Sequence, residues 1–425
     1  MMAYWNFPAV KGGNINSINN AGLETFRDNP IESLTREICQ NSLDAKKNPN
    51  EPVVVEFNQF KTKQFPNQQE LYEVFLKCRE TWQGKNQKSE DFIEEALKTL
   101  SHSETQFLRI SDFNTKGLAG AQSGDLGTPW SSLVKEAGSS NKEGDSGGSF
   151  GIGKSAPFLT SKIRTLFYSS YAEDGYKSHI GVSNIMSYRT GMDEITAGIG
   201  YYTNTYDSKA IEGLLNLDPA LNRQETGTDI FVSAFDPGEE WEQEIVKSVL
   251  MNFFITVYQK KLIVRVNGLE INNENVGQLI NNLDDSEDSR ILKNYFYLLD
   301  SEDKVVINYP AKTYKNGISF EEGEAQLYLM DGDDLNRKVL MTRKNGMRIY
   351  EQDRISGSIS FTGILVITGN NMNSIFKQME NPAHNGWSSN RYDKDPKLAK
   401  KIFTDLRRFI REEVKGTYQQ NNTDQ

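Results

Sequence analysis

The sequence predicts an α+β protein: a sandwich of helices on a mixed sheet, followed by a smaller α+β domain. Three observations carry that expectation. Helical patterns crowd residues 30–100, whereas runs rich in β-branched and aromatic residues dominate 164–266. Around 281–290 the chain turns acidic and polar (Asn-Asn-Leu-Asp-Asp-Ser-Glu-Asp-Ser-Arg), which marks a boundary. The length, 425 residues, suits two or three domains of about 100–200 residues each. The expected division is a strap over 1–28, a main domain over 29–280 and a second domain over 290–425.

In chain order, Asp28-Asn29-Pro30 starts a helix over 30–48 that Asn48-Pro49-Asn50 stops. Residues 52–60 are β-branched and partly alternating, a strand. Helical periodicity returns at 68–79 and 90–100, and a second strand at 106–112 ends on Asp112. Residues 119–149, rich in Gly, Ser and Asp, read as a long mobile loop. Strands follow near 164–171, 179–188, 198–202 and 228–234, then a helix at 241–258 and a strand at 262–266. In the second domain, strands near 324–329, 339–343, 347–350 and 361–368 precede helices at 373–379 and 396–414. Trp5–Phe26 is too polar for a core strand and is expected to strap across a partner subunit.

Composition narrows the function classes. The net charge of −10 argues against a protein that coats nucleic acid with its whole surface. The most basic segment, 397–411, carries Leu, Ile and Phe at helical spacing, so it reads as a docked amphipathic helix with a solvated basic face. No stretch approaches the roughly 18 uncharged apolar residues of a membrane span. The first residues lack the pattern of a signal peptide. Two cysteines, Cys39 and Cys78, make no disulfide framework, and a cytoplasmic location is expected. Cys39 reads as a small buried hydrophobe. His102, His179 and His384 are scattered, and His384, within Glu380-Asn-Pro-Ala-His384-Asn-Gly-Trp387, reads as a structural or interface residue.

The chemistry concentrates in two segments. Glu37, Asn41 and Asp44 are spaced by four and three, which puts two carboxylates and a carboxamide on one helix face. That stripe suits water, a hard cation and a nucleotide. Downstream, Gly148-Ser-Phe150-Gly151-Ile152-Gly153-Lys154-Ser155 supplies glycines whose N–H groups can reach phosphate oxygens. The same letters satisfy the P-loop pattern G-x-x-x-x-G-K-[ST], but the polar residues before it cannot form the buried strand a P-loop needs.

Glu37-x-x-x-Asn41-x-x-Asp44-Ala45, then Asp112, then Gly148-x-x-Gly151-x-Gly153, then Thr226-Gly227-Thr228 resemble, in order, the four motifs of the GHKL ATPases. That superfamily joins gyrase-type topoisomerases, Hsp-class chaperones, histidine kinases and MutL, with the MORC proteins, and the chain looks nearest to the MORC and MutL type. The resemblance implies the Bergerat fold, a transducer-like second domain, ATP and Mg²⁺ as cofactors, and slow hydrolysis. It makes Glu37 the base, Asn41 the Mg²⁺ ligand, Asp44 a nucleotide contact and Asp112 the acceptor for the adenine amino group. Thr228 supports that contact through its hydroxyl. Gly148, Phe150, Gly151, Ile152, Gly153 and Lys154 close the lid (about 119–149) onto the phosphates. Lys344, or failing it Arg343, reaches the γ-phosphate from the second domain. One motif departs: where the family has Asp-x-Gly-x-Gly, this chain has Asp112-Phe-Asn114-Thr-Lys-Gly117, with Asn114 able to take the left-handed conformation of the first glycine. The resemblance further implies ATP-driven lid closure and homodimerisation. The chain would then be a switch for DNA or a companion nuclease, in bacterial genome defence. The alternative is a module that holds ATP without hydrolysing it.

Overall fold

A computed structural model describes residues 1–19, 28–136 and 153–419. Its described residues fall into two compact units, one from 1–19, 28–136, 153–245 and 263–270, the other from 246–262 and 271–419.

The first unit opens with β1 (Tyr4–Asn6), β2 (Ala9–Val10), α1 (Pro30–Asp44), β3 (Val53–Thr62), α2 (Gln68–Trp82), α3 (Gln87–Leu100) and β4 (Thr105–Phe113). It continues through α4 (Pro129–Val134), a 3₁₀ turn over Gly153–Thr160, β5 (Thr165–Tyr171), β6 (Lys177–Asn184), β7 (Ile195–Thr196) and β8 (Ile199–Thr203). Then come β9 (Ile211–Glu212), β10 (Gly227–Ser233), α5 (Trp241–Tyr258, which from 246 onward belongs to the second unit), β11 (Leu262–Val266) and β12 (Leu269–Ile271). The main sheet runs β1-β8-β6-β5-β10-β4-β3-β11-β12, with β9 beside β6. From β1 to β3 every pairing is antiparallel.

Local sequence sets these elements. Pro30 supplies the fixed φ of a first helical residue, and Ile31, Leu34, Thr35, Ile38, Cys39 and Ser42 form the buried stripe of α1. The helix stops at Asp44 rather than 48 because Lys46 enters a bridge with Thr115. Asn86 caps α3, accepting the Ser89 N–H at 2.9 Å. In β4, Phe107 and Leu108 are both buried although they point to opposite faces. Both faces therefore need cover, and helices lie on both. α2 and α3 bury Leu71, Phe75, Ile93 and Leu97 with Phe107, Phe167 and Phe231, while α1 lies on the face of Asp112.

Two expectations are corrected. At the start of the segment expected to strap a partner, and read as too polar for a core strand, Tyr4–Asn6 pairs with β8 at the edge of its own main sheet. Trp5 is buried against Phe167 and Tyr202, and its backbone N–H donates to Glu70 Oε1 at 2.7 Å. Polar neighbours hid a strand whose single large apolar residue does the packing. The 119–149 loop contains a buried helical turn, with Trp130 and Val134 inside; its residues 137–149 lie outside the described residues.

The second unit holds α6 (Val276–Asn281), α7 (Glu287–Asp300), β13 (Val305–Asn308), β14 (Lys312–Thr313), β15 (Ser319–Phe320), β16 (Ala325–Asp331) and β17 (Val339–Thr342). β18 (Arg348–Gln352), β19 (Phe361–Ile367), α8 (Asn370–Gln378) and α9 (Pro396–Gln419) complete it. The acidic stretch read as a boundary joins α6 to α7. Its sheet runs β13-β16-β19-β17-β18 and is mixed, since β17 and β19 are parallel. α9 docks as expected, burying Leu398, Ile402, Phe403, Leu406, Ile410 and Val414 while Lys397, Lys400, Arg408 and Arg411 face water.

Candidate functional site

The site grows from the exits of two neighbouring strands. β4 and β10 pair antiparallel up to Ser111↔Asp229. One step further, Asp112 and Thr228 share the face that α1 covers. The Asp112 carboxylate accepts three hydrogen bonds: Thr115 Oγ1 (2.7 Å) and the Thr228 N–H (2.7 Å) on Oδ1, and Ser42 Oγ (2.9 Å) on Oδ2. Burial raises this carboxyl above its ordinary value, against the lowering pull of Thr115, Thr228, Arg223 and Ser42. It is the Thr228 backbone N–H that meets Asp112.

The departure from the family pattern resolves into a defined turn. Asn114 is left-handed, at φ 60°. Its Nδ2 donates to the carbonyls of Asn48 (3.1 Å), Glu51 (3.0 Å) and Pro52 (3.2 Å), and its Oδ1 accepts the Asn48 N–H at 2.9 Å. Gly117 follows at φ 68°, where a Cβ would meet the Tyr171 carbonyl oxygen at 2.3 Å. The loop thus runs from Asp112 beneath the end of α1, sewn to it by Lys47 N–H→Asn114 O and Lys116 N–H→Ala45 O.

On α1, Asn41 Nδ2 donates to Glu37 Oε1 at 2.9 Å, so these two members of the predicted stripe are joined. Asp44 is the last residue of α1 and is half-buried. Gly153 begins the 3₁₀ turn packed against α1. Lys154, beside it, sends its ammonium to backbone carbonyls at the end of α4, Ser132 O at 2.8 Å and Glu136 O, and burial lowers its pKa. Gly148, Phe150, Gly151 and Ile152 lie outside the described residues.

Lys344 belongs to the second unit, in the turn between β17 and β18. Its N–H donates to Asn373 Oδ1 at 3.2 Å and its ammonium to Asn370 Oδ1. Arg343 is the other candidate. Buried, it forks onto Glu380, which also contacts His384 Nδ1 at 2.9 Å. Burial opposes ionisation of Glu380, yet Arg343 and His384 hold its carboxyl below the usual value. His384 thus sits in a buried cluster with Arg343 and Glu380. Cys39 and Cys78 are both buried, which pushes their thiols far above the ordinary range.

Sequence reasoning missed Ser42 and Thr115, and also a buried ionic network on the opposite face of the sheet. Arg109 bridges Asp218 (2.8 Å), Glu56 (2.7 Å) and Ser111 Oγ (2.7 Å), and Ser111 Oγ donates to Asp229 at 2.5 Å. Arg223 grips Asp229 through Nε (2.9 Å) and Nη2 (2.8 Å). The signal was a period of two: Arg109 and Ser111 in β4 and Asp229 in β10 interrupt otherwise apolar strands.

No family model matches the chain, and no curated protein matches it. Among solved structures, the ATPase region of Saccharomyces cerevisiae topoisomerase II bound to ICRF-187 (dexrazoxane) matches 88% of this chain and 85% of its own, at 10% identity and a TM-score of 0.43.

Proposed function

We propose that this chain binds ATP on the α1 face of its main sheet and hydrolyses it, as a GHKL-type ATPase. The observation that carries the reading is the state of Asp112. A carboxylate offers about four acceptor sites, and three are taken by Thr115, Thr228 and Ser42. The remaining site, on Oδ2, suits an amino donor such as that of adenine. A side chain held this firmly reads one hydrogen-bonding pattern rather than adapting to several.

Glu37 and Asn41 fit the other end of the nucleotide. Asn41, whose Nδ2 is given to Glu37, carries an amide oxygen, the ligand type that Mg²⁺ takes. When bound, Mg²⁺ neutralises charge on the phosphates. Glu37 keeps Oε2 for a water, which it orients and relieves of a proton. Asp44, one turn on from Asn41 in α1, and Lys154 complete the proposed phosphate contacts, while Gly117 lets the loop pass close to β5. The resemblance extends the proposal to a homodimer formed on ATP binding, acting as a switch on DNA or on a companion nuclease in genome defence.

Glu37→Gln is expected to retain ATP affinity and to lose hydrolysis by about 10²–10⁴-fold. Asp112→Asn sets an amide N–H against the adenine amino group and is expected to weaken ATP binding about 10–100-fold. The mass of Glu37→Gln should double with ATP and not with ADP. Hydrolysis at the wild-type rate in Glu37→Gln removes the base, and unaltered affinity in Asp112→Asn removes the base pocket. A wild-type protein that binds ATP without turnover leaves the holding module as the function.

A further inference from the structure

We infer that Arg223 is the positioning residue of the base site, releasing Asp112 from the strand ladder so that its carboxylate can read a 6-amino purine. The inference rests on the ATP reading above.

The β4–β10 ladder ends at Ser111↔Asp229, although both strands continue. In an antiparallel pair the next donor, the Thr228 N–H, would go to the Asp112 backbone carbonyl. It goes to the Asp112 side chain instead. The carbonyl thereby loses its strand partner, and a buried carbonyl without a donor is costly. Arg223 fills the gap, with Nη2 donating to Asp112 O at 2.9 Å and, more distantly, to Thr228 O at 3.3 Å. One guanidinium thus takes up the carbonyls of both strands where their pairing stops.

The rest of Arg223 is fixed. Its fork on Asp229 is bidentate, its side chain is almost wholly buried, and its guanidinium carbon lies 4.8 Å from the Phe113 ring centroid. Asp229 is tied through Ser111 to Arg109, and Arg109 to Asp218 and Glu56. Gly227 records the tightness of the fit. At φ 150°, a Cβ there would lie 2.3 Å from Arg223 Nη1 and 2.4 Å from Asp112 O. A lysine has one compact donor head and cannot grip Asp229 bidentately while reaching a carbonyl.

Binding of ATP and of purine riboside triphosphate, which lacks the 6-amino group, tests this in wild type, Asp112→Asn, Arg223→Lys and Gly227→Ala. The readout is the ratio of the two affinities, since a purely structural defect weakens both nucleotides alike. Wild type should prefer ATP. Arg223→Lys and Gly227→Ala should each lower the preference about tenfold, chiefly through ATP, with circular dichroism unchanged. No preference in wild type overturns the ATP reading itself. A wild-type preference lost in Asp112→Asn but kept in folded Arg223→Lys and Gly227→Ala overturns this inference alone. So does unfolding of both variants, which would make Arg223 a structural ion pair.

Discussion

At Asp112 two forces oppose each other. Three donors favour the carboxylate, while burial favours the neutral acid, and burial wins in direction: the pKa lies above the ordinary 3.8. As pH falls through that raised value, Asp112 gains a proton and its acceptor for an amino group becomes a donor. The folded chain binds this proton more tightly than the unfolded one. The stability it contributes is therefore present below the ordinary value and lost as pH rises through the folded value. Acidification should thus remove ATP affinity while the Asp112 proton itself favours the fold. Calorimetric titration of ATP and of purine riboside triphosphate across acidic pH checks this. Only ATP should weaken, and parallel loss of both would take Asp112 out of base recognition. Asp112, Glu37 and Asn41 could be singled out as candidates in the sequence because their spacing and order survive as letters. Ser42, Thr115 and Arg223 could not: each acts through a long-range contact, and nothing near it in the chain announces its partner.

Among elements, helices were read most accurately. The Trp241–Tyr258 helix has the expected bounds, and α2, α3 and α9 run only a few residues beyond them, because a stripe at 3.6-residue spacing is a local property. α7 and β13 escaped notice inside an acidic, polar stretch, where Ser286 caps the helix by accepting the Ser289 N–H. The turn after β4 was legible at one residue, Asn114, whose left-handed φ is as expected. Its four side-chain bonds were beyond reach of the letters. Those bonds set an order of stability. Asn114→Gly keeps the conformation and loses the bonds; Asn114→Ala loses the bonds and strains the backbone. Urea unfolding should rank wild type above Asn114→Gly above Asn114→Ala, the last destabilised by about 2–3 kcal/mol. Equal stability of the two variants would remove the conformational part of that account.

At the scale of the whole molecule, the described residues show a hydrophobic core in each unit. One joins Trp5, Phe75, Phe107, Phe167 and Phe231, the other Leu327, Phe361, Phe376, Trp387 and Leu406. Chains with two cores commonly depart from two-state unfolding, so calorimetry should resolve two transitions. A non-hydrolysable ATP analogue at about 100 times its Kd should stabilise the first unit alone, by about 2.7 kcal/mol. Leu406→Ala empties a fully buried position in α9 and should lower the other transition by about 2–5 kcal/mol. A single transition that both changes shift would mean the cores melt as one. The segment 246–262 falls with 271–425 rather than with its chain neighbours, because membership of a compact unit depends on long-range contacts that composition does not display.

The edge strand β1 has a consequence in time. Tyr4 pairs with Thr203 and Asn6 with Tyr201, partners made about two hundred residues later. At roughly 5–20 residues per second on the ribosome, Tyr4–Asn6 waits about 10–40 s for its neighbour. During that interval Trp5 has no β8 to lie against, and its ring is exposed to whatever binds nascent chains. Closing so wide a loop is slow and comes late. Sealing of this edge is thus set by the clock of translation, and slowing the ribosome between β1 and β8 should lengthen the period in which the newborn chain is most readily captured or cleaved.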